Sequence, residues 1–286
     1  MMKIKLVTDK AKELKQFFAA LSSLVDELQL HFTKSGIYMK MLDPSGIAMI
    51  EGNLKRSLFS EWNIKKDQVI TIYEKLLNNV LENIKKDDIL TITNAESGSQ
   101  KALKFKLSKK NEEFEIPYFE MNDKQPKHPL HDPKEDFTAK LSVPSQQLKE
   151  VVNSTKKINP YLMLLAEKGK LILFSKGDSG KIKKVMPGLK GEIKEQTYAM
   201  YNREYINKML KGADKNNLVE IAFRKDKPLQ ISYKTDYWDM KYWLAPMEGT
   251  EDSAWLKELN ETKEGITNAK IAKETKPTKD KMRLKA

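Results

Sequence analysis

Apolar residues recur along this chain with two different periods. Four segments carry them at helical spacing. Ala11, Leu14, Phe17, Phe18 and Leu21 do so within Thr8 to Val25, and Tyr73, Leu76, Leu77, Val80, Leu81 and Ile84 within Tyr73 to Lys85. Leu148, Val151, Val152 and Thr155 follow within Ser145 to Ile158, and Ile206, Met209, Leu210 and Ala213 within Asn202 to Gly212. Such stripes predict amphipathic helices, each with one face laid on a sheet. Between them the period drops to two, as in Leu103-Lys104-Phe105-Lys106-Leu107, the mark of half-buried strands.

The order of these segments repeats. In each half a helix leads to a strand, a glycine turn (Gly36; Gly169) and a second strand: Gln29 to Thr33 and Ile37 to Met41, then Tyr161 to Ala166 and Lys170 to Phe174. Next come a strand and the second helix, at Val69 and at Gln196, and then two more strands, Ile89 to Thr93 with Lys101 to Ser108 and Leu218 to Arg224 with Pro228 to Lys234. Each half closes on an apolar strand, Phe114 to Met121 or Lys241 to Pro246. The expectation is an α+β protein of two duplicated domains, Met1 to Met121 and Asp136 to Gly249, each of antiparallel sheet with two helices. Asn122 to Glu135, with Pro126, Pro129 and Pro133, has no periodicity and reads as an extended connector. Beyond Thr250 the chain is Lys-rich; Trp255 to Leu259 suggests a helical turn or two, and the rest an unstructured tail.

A length of 286 residues suits two such domains. The longest wholly apolar run, Tyr161 to Ala166, is far too short for a membrane helix, and Lys3 and Lys5 precede no signal-like core. With zero cysteines there are no disulfides and no thiolate metal ligands, as in intracellular proteins. The net charge of +12 favours a polyanionic partner. Its arrangement is more telling. Opposite the apolar stripes stand Lys12 and Lys15, Lys75, Lys149 and Lys157, and Lys208 and Lys211, with Glu82, Glu150 and Glu204 interspersed. If the sheets form an outer shell, these seven lysines meet phosphate from several directions. Lysine follows a sugar-phosphate backbone without reading a base.

Two stretches carry a resemblance. Leu24 to Ile50 holds a strand, the Lys34-Ser35-Gly36 turn, a strand, a Leu42-Asp43-Pro44-Ser45 corner and a third strand; Asp226 to Glu248 holds two strands closing on Leu244-Ala245-Pro246. Together they resemble the sliding clamps of archaea and eukaryotes, the proliferating cell nuclear antigen family, over Met1 to Glu248. The resemblance implies a DNA sliding clamp and processivity factor with no reaction of its own and no cofactor. Three subunits would close head to tail around duplex DNA, the strand Glu113 to Phe119 of one pairing with Ser179 to Val185 of the next. Phe114, Ile116, Tyr118, Lys181, Ile182, Lys183 and Val185 would lie in that joint. It further implies an apolar groove of Leu42, Gly46, Ile47, Met49, Leu130, Pro133, Pro228, Trp243, Ala245 and Pro246. This groove would receive short motifs of DNA polymerases, ligases, nucleases and the clamp loader.

The chain also departs from that pattern. Gly46 replaces a larger residue, Leu130-His131-Asp132-Pro133 is more polar than the usual connector, and the overall charge is basic where typical clamps are acidic. Three other readings stay open: one subunit of a heterotrimeric ring, a monomer held on DNA by charge alone, and a nuclease built on paired carboxylates. The last has little to work with. His31, His128 and His131 form no metal-binding motif, and Asp87-Asp88 is expected to end a helix.

Overall fold

In a computed structural model of the chain, residues 2–7, 10–85, 88–119, 136–247 and 253–260 are described. They fall into two units, one within Met1–Met247 and one within Glu248–Ala286. The first unit opens with β1 (Lys3–Val7), α1 (Ala11–Leu21), β2 (Glu27–Phe32), β3 (Gly36–Leu42), β4 (Ala48–Lys55), β5 (Glu61–Asn63) and β6 (Gln68–Tyr73). α2 (Glu74–Asn83), β7 (Ile89–Ser97), β8 (Gln100–Leu107) and β9 (Glu112–Pro117) complete its first half. The second half repeats the order: β10 (Ala139–Pro144), α3 (Ser145–Ser154), β11 (Tyr161–Glu167), β12 (Lys170–Gly177), β13 (Gly180–Pro187), β14 (Lys190–Ile193) and β15 (Thr197–Asn202). α4 (Arg203–Met209), β16 (Leu218–Phe223), β17 (Leu229–Lys234) and β18 (Trp238–Leu244) follow.

All the strand pairs are antiparallel, so the α+β expectation holds. β5-β1-β7-β8-β9 make one sheet and β13-β12-β11-β15 another. The third, β14-β10-β16-β17-β18-β4-β3-β2-β6, draws on both halves. Its seam is β18 against β4, from Trp238 opposite Leu54 to Leu244 opposite Ala48. β18 ends the second half as β9 ends the first, and β4 occupies in the first half the place of β13 in the second. The seam thus joins two strands whose counterparts, β9 and β13, lie at the ends of the two smaller sheets.

Helices and core lie on one face of the long sheet. Tyr242 of β18 donates to the Ala20 carbonyl of α1 at 3.1 Å, Trp238 donates from Nε1 to Glu13 at 2.8 Å, and Tyr233 of β17 donates to the Met209 carbonyl of α4 at 2.8 Å. Trp238 and Tyr242 are buried among Leu21, Met240 and Ile50. Burial of each such ring contributes roughly 1.5–3 kcal/mol, and the hydrogen bonds spare its polar tip a desolvation penalty. Gly212, just past α4, lies against α1. A Cβ there would stand 2.5 Å from the Ala20 Cβ and 3.2 Å from the Gln16 carbonyl oxygen.

Helix positions match the expectation, with shorter ends. One part of the second stripe is corrected. Tyr73 and Leu76, expected inside, are 46% and 39% exposed. The backbone remains extended through Tyr73, so the first turn of α2 overhangs the core and only Leu77, Val80 and Leu81 of the helix are buried. Tyr73 packs edge-on against Phe119 at 6.1 Å, and Phe119 exchanges backbone hydrogen bonds with Thr71. Asp88 ends no helix, since α2 stops at Asn83; its carboxylate accepts the backbone N–H groups of Ile89 and Lys109 and pins the base of the β7–β8 hairpin. Asp87 lies outside the described residues. Residues 253–260 of the second unit are helical, with Trp255 and Leu259 buried. The expectation for residues 261–286 lies outside the described residues.

Candidate nucleic-acid interface and partner groove

The seven predicted lysines sit on or beside the four helices, on the helix side of the sheets. Lys12, Lys75, Lys157, Lys208 and Lys211 are exposed, and Lys15 and Lys149 half-buried. Three of them stitch the helices together. Lys15 donates to the Ile84 carbonyl at the end of α2 (3.0 Å), Lys12 pairs with Asp214 beyond α4 (3.0 Å), and Lys149 of α3 donates to the Ala213 carbonyl. The helices of both halves therefore form one continuous layer, with ammonium groups along its seams. Partial burial lowers the pKa of Lys15, helped by the neighbouring Lys85, although Glu82 opposes it. Burial lowers that of Lys149 as well. Lys208 lies over the Tyr205 ring, 5.4 Å from its centre. Such a layer offers charge that can meet phosphate without reading a base.

The residues predicted for the groove lie on the opposite face of the long sheet, where Met49 and Trp243 are buried. Alternation along β18 dictates this, for Tyr242 points to α1 and its neighbour Trp243 away from it. Leu42, Met49, Trp243 and Ala245 form a small apolar cluster apart from the main core. Ile47 beside it is 37% exposed, and its carbonyl accepts the Ala245 N–H at 2.8 Å. Pro246 follows, and Pro228 precedes the β17 residue Leu229, which pairs with Leu244. Leu130 and Pro133 lie outside the described residues.

Two features of this face were not read from the sequence. Lys40 and Lys241 place their ammonium groups 5.7 and 5.5 Å from the centre of the Trp243 ring, and Lys40 also pairs with Glu51 at 3.2 Å. The alternation of β3, β4 and β18 holds the signal, but only the pairing register reveals it. The second feature is a cluster at the Leu42-Asp43-Pro44-Ser45 corner. Asp43 is 5% exposed and accepts the Ala48 N–H at 2.7 Å, the Ser45 N–H at 3.2 Å, the Ser45 hydroxyl, and the hydroxyl of Tyr205 on α4 at 2.8 Å. Burial works to raise the Asp43 pKa, but the hydrogen bonds from Ser45, Ala48 and Tyr205 prevail and hold it below its ordinary value.

The predicted joint residues are divided between core and edge. Phe114 is partly buried, while Ile116 and Tyr118 are buried at 3% and 6%, so any contact they make across an edge comes from the backbone. On β13, Lys181, Lys183 and Val185 are exposed and Ile182 half-buried. Glu113 and Glu115 already pair across to β8: Glu113 with Lys104 (3.3 Å) and Lys106 (3.0 Å), and Glu115 with Lys104 (3.1 Å).

With this geometry in view, comparison with known proteins is specific. A family model described as proliferating cell nuclear antigen, N-terminal domain, matches residues 1–125. The DNA polymerase sliding clamp of Thermococcus onnurineus is 28% identical over 251 residues, 86% of this chain and 98% of that protein. That of Pyrococcus furiosus is 26% identical over 252 residues, with the same coverage of 86% and 98%. Among solved structures, proliferating cell nuclear antigen from Thermococcus kodakaraensis superposes with a TM-score of 0.76 at 25% identity, over 86% of this chain and all of the other. The A. fulgidus protein, solved with the C-terminal region of FEN-1 bound, shares the fold at a TM-score of 0.74 and 20% identity, over 87% and 99% of the two chains.

Proposed function

We propose that this chain is a DNA sliding clamp of the proliferating cell nuclear antigen family and that it closes with two further copies into a ring around duplex DNA. There it tethers replication and repair enzymes and performs no chemical step itself. It works on intracellular DNA. Two clamp domains, Met1 to Met121 and Asp136 to Gly249, are joined by the connector Asn122 to Glu135 and by the β18–β4 seam.

One observation carries the ring: the chain contains its own joint. β18 pairs with β4 inside the chain, and the counterparts of these strands, β9 and β13, stand at sheet ends. Two copies that repeat the internal seam between them bury both edges, and a head-to-tail contact of this kind closes into a ring when the rotation permits. The helix layer then faces inward. Lys12, Lys15, Lys75, Lys149, Lys157, Lys208 and Lys211 line the hole, where weak, salt-dependent phosphate contacts allow sliding. The groove around Ile47, Met49 and Trp243 faces outward and takes the aliphatic and aromatic anchors of polymerase, ligase, nuclease and clamp-loader motifs. The exposed Tyr73, at the end of β6, and Leu76, on α2 bordering β9, extend the joint.

Sedimentation of the purified protein at micromolar concentration tests this reading. It predicts a particle of three 33.0 kDa chains. A 33.0 kDa particle would overturn it in favour of a ring built with different partner subunits.

A further inference from the structure

The corner that carries Ile47 is a poorly supported piece of chain. Pro44, Ser45, Gly46 and Ile47 are all exposed, and a Cβ built on Gly46 would meet nothing within 4 Å. Packing does not hold it in place. Hydrogen bonds do: the Ile47 carbonyl accepts the Ala245 N–H at 2.8 Å and the Ala48 carbonyl the Asp43 N–H at 2.8 Å, while the side-chain ties converge on one carboxylate. Asp43 closes the corner locally through the N–H groups of Ser45 and Ala48, and its own carbonyl accepts the Gly46 N–H at 2.9 Å. Among the described residues, the one tie from this carboxylate to a helix is the Tyr205 hydroxyl, which donates to Asp43 at 2.8 Å and stands 2.8 Å from the Ser45 hydroxyl.

Tyr205 comes from the other half of the chain, and its own position is firmly set. Asn202 caps α4 by accepting the N–H groups of Glu204 (2.9 Å) and Tyr205 (3.4 Å), and Ile206 and Met209 are buried beneath it. A capped helix of the second half thus adds a side-chain hold on an exposed corner whose other ties are local hydrogen bonds and the Ile47–Ala245 backbone bond. We propose that Tyr205 is a positioning residue for the partner groove, whose hydroxyl acts through Asp43 and Ser45 to fix the corner and present Ile47 to an incoming motif. This rests on the groove reading above. Preorganised loops bind more tightly because their ordering cost is met before the ligand arrives. The same ring carries Lys208, so the lysine layer and the groove are tethered through a single side chain.

The test uses the full chain and a synthetic peptide from the C-terminal region of an archaeal FEN-1, with affinity measured by calorimetry. Tyr205→Phe keeps the ring and removes only the hydroxyl. It is expected to weaken the peptide by roughly threefold to tenfold, to leave the sedimenting mass unchanged, and to shift or broaden the Ile47 methyl resonance of the free protein. A purely structural role would leave that resonance in place in the folded variant. Asp43→Asn alone and with Tyr205→Phe completes a double-mutant cycle, in which losses that fail to add support action through Asp43. Trp243→Ala reports separately on the groove. If Trp243→Ala abolishes binding while Tyr205→Phe binds like the parent, the positioning role is overturned and the groove stands. If Trp243→Ala also binds like the parent, the groove reading falls and takes the positioning role with it.

Discussion

The internal seam specifies a register for the proposed joint between subunits. Phe105 faces Phe114 across β8 and β9 as Ile231 faces Tyr242 across β17 and β18, so Phe114 is the counterpart of Tyr242. Ile37 faces Leu54 across β3 and β4 as Leu171 faces Met186 across β12 and β13, which makes Ile182 the counterpart of Ile50. Tyr242 pairs with Ile50 inside the chain, and Phe114 should therefore meet Ile182 of the neighbour. Antiparallel pairing then sets Glu112 opposite Lys184, Glu113 opposite Lys183 and Glu115 opposite Lys181, three acid–base pairs around one apolar contact. Opposite charges at cross-strand positions contribute roughly 0.2–1 kcal/mol each, and exposure keeps them in the lower part of that range. Lys183→Glu with Lys184→Glu turns two attractions into repulsions. Each joint should weaken by roughly 1–2 kcal/mol, about a fivefold to thirtyfold change in its equilibrium constant. Sedimentation across a dilution series should show the trimer falling apart at correspondingly higher concentration, and more so at low salt, where the repulsion is least screened. The register has its own assay, because the parent has zero cysteines. Glu113→Cys with Lys183→Cys should link chains by disulfides on a non-reducing gel, as facing Cβ atoms about 3.5–4.5 Å apart can. Linkage by Glu113→Cys with Lys181→Cys instead would place the register two residues away and refute the use of the internal seam as a template.

Other predictions follow from the same contacts. Replacing Lys12, Lys157 and Lys211 by Ala should leave thermal stability nearly unchanged, while the salt slope of DNA binding falls by up to about 0.9 per lost contact; an unchanged slope would remove these faces from the hole. Gly212→Ala drives a methyl into Ala20 and should destabilise the fold by roughly 1–3 kcal/mol in urea unfolding, whereas a silent substitution would mean that α1 and α4 do not touch there. The Asp43 carboxyl is held below its ordinary value, so folding favours its ionised form. That stability is fully present above the unfolded pKa of about 4 and is lost as pH falls through the lower folded value. Asp43→Asn should flatten the acid limb of the unfolding profile, and an identical limb would contradict the hydrogen-bonded carboxylate.

The helices were legible in the sequence because their determinants are local: Leu14, Phe17, Phe18 and Leu21 fall on one stripe, and burial followed it. Tyr73 and Leu76 fit the second stripe equally well and are exposed, since periodicity fixes a face but not where a helix begins relative to its sheet. β14, a four-residue strand of sequence KGEI, has no alternation to announce it. The β18–β4 seam joins residues far apart in the chain, so no window of sequence contains it. The same holds for the Lys40–Trp243–Lys241 stack and the grip of Tyr205 on Asp43. Each half of these contacts was visible, Trp243 as an apolar groove residue and Asp43 as a corner, but the partner that gives it meaning arrives from the other half of the fold.

A ring closed around DNA is linked to it topologically, and cutting the DNA checks that link. The protein would be loaded on a nicked circular duplex, washed in high salt, and the circle then cut once with a restriction enzyme. A closed ring should survive the wash on the circle and slide off after the cut. A chain held by charge alone would be lost in the wash from circle and linear DNA alike, and that result would contradict the account.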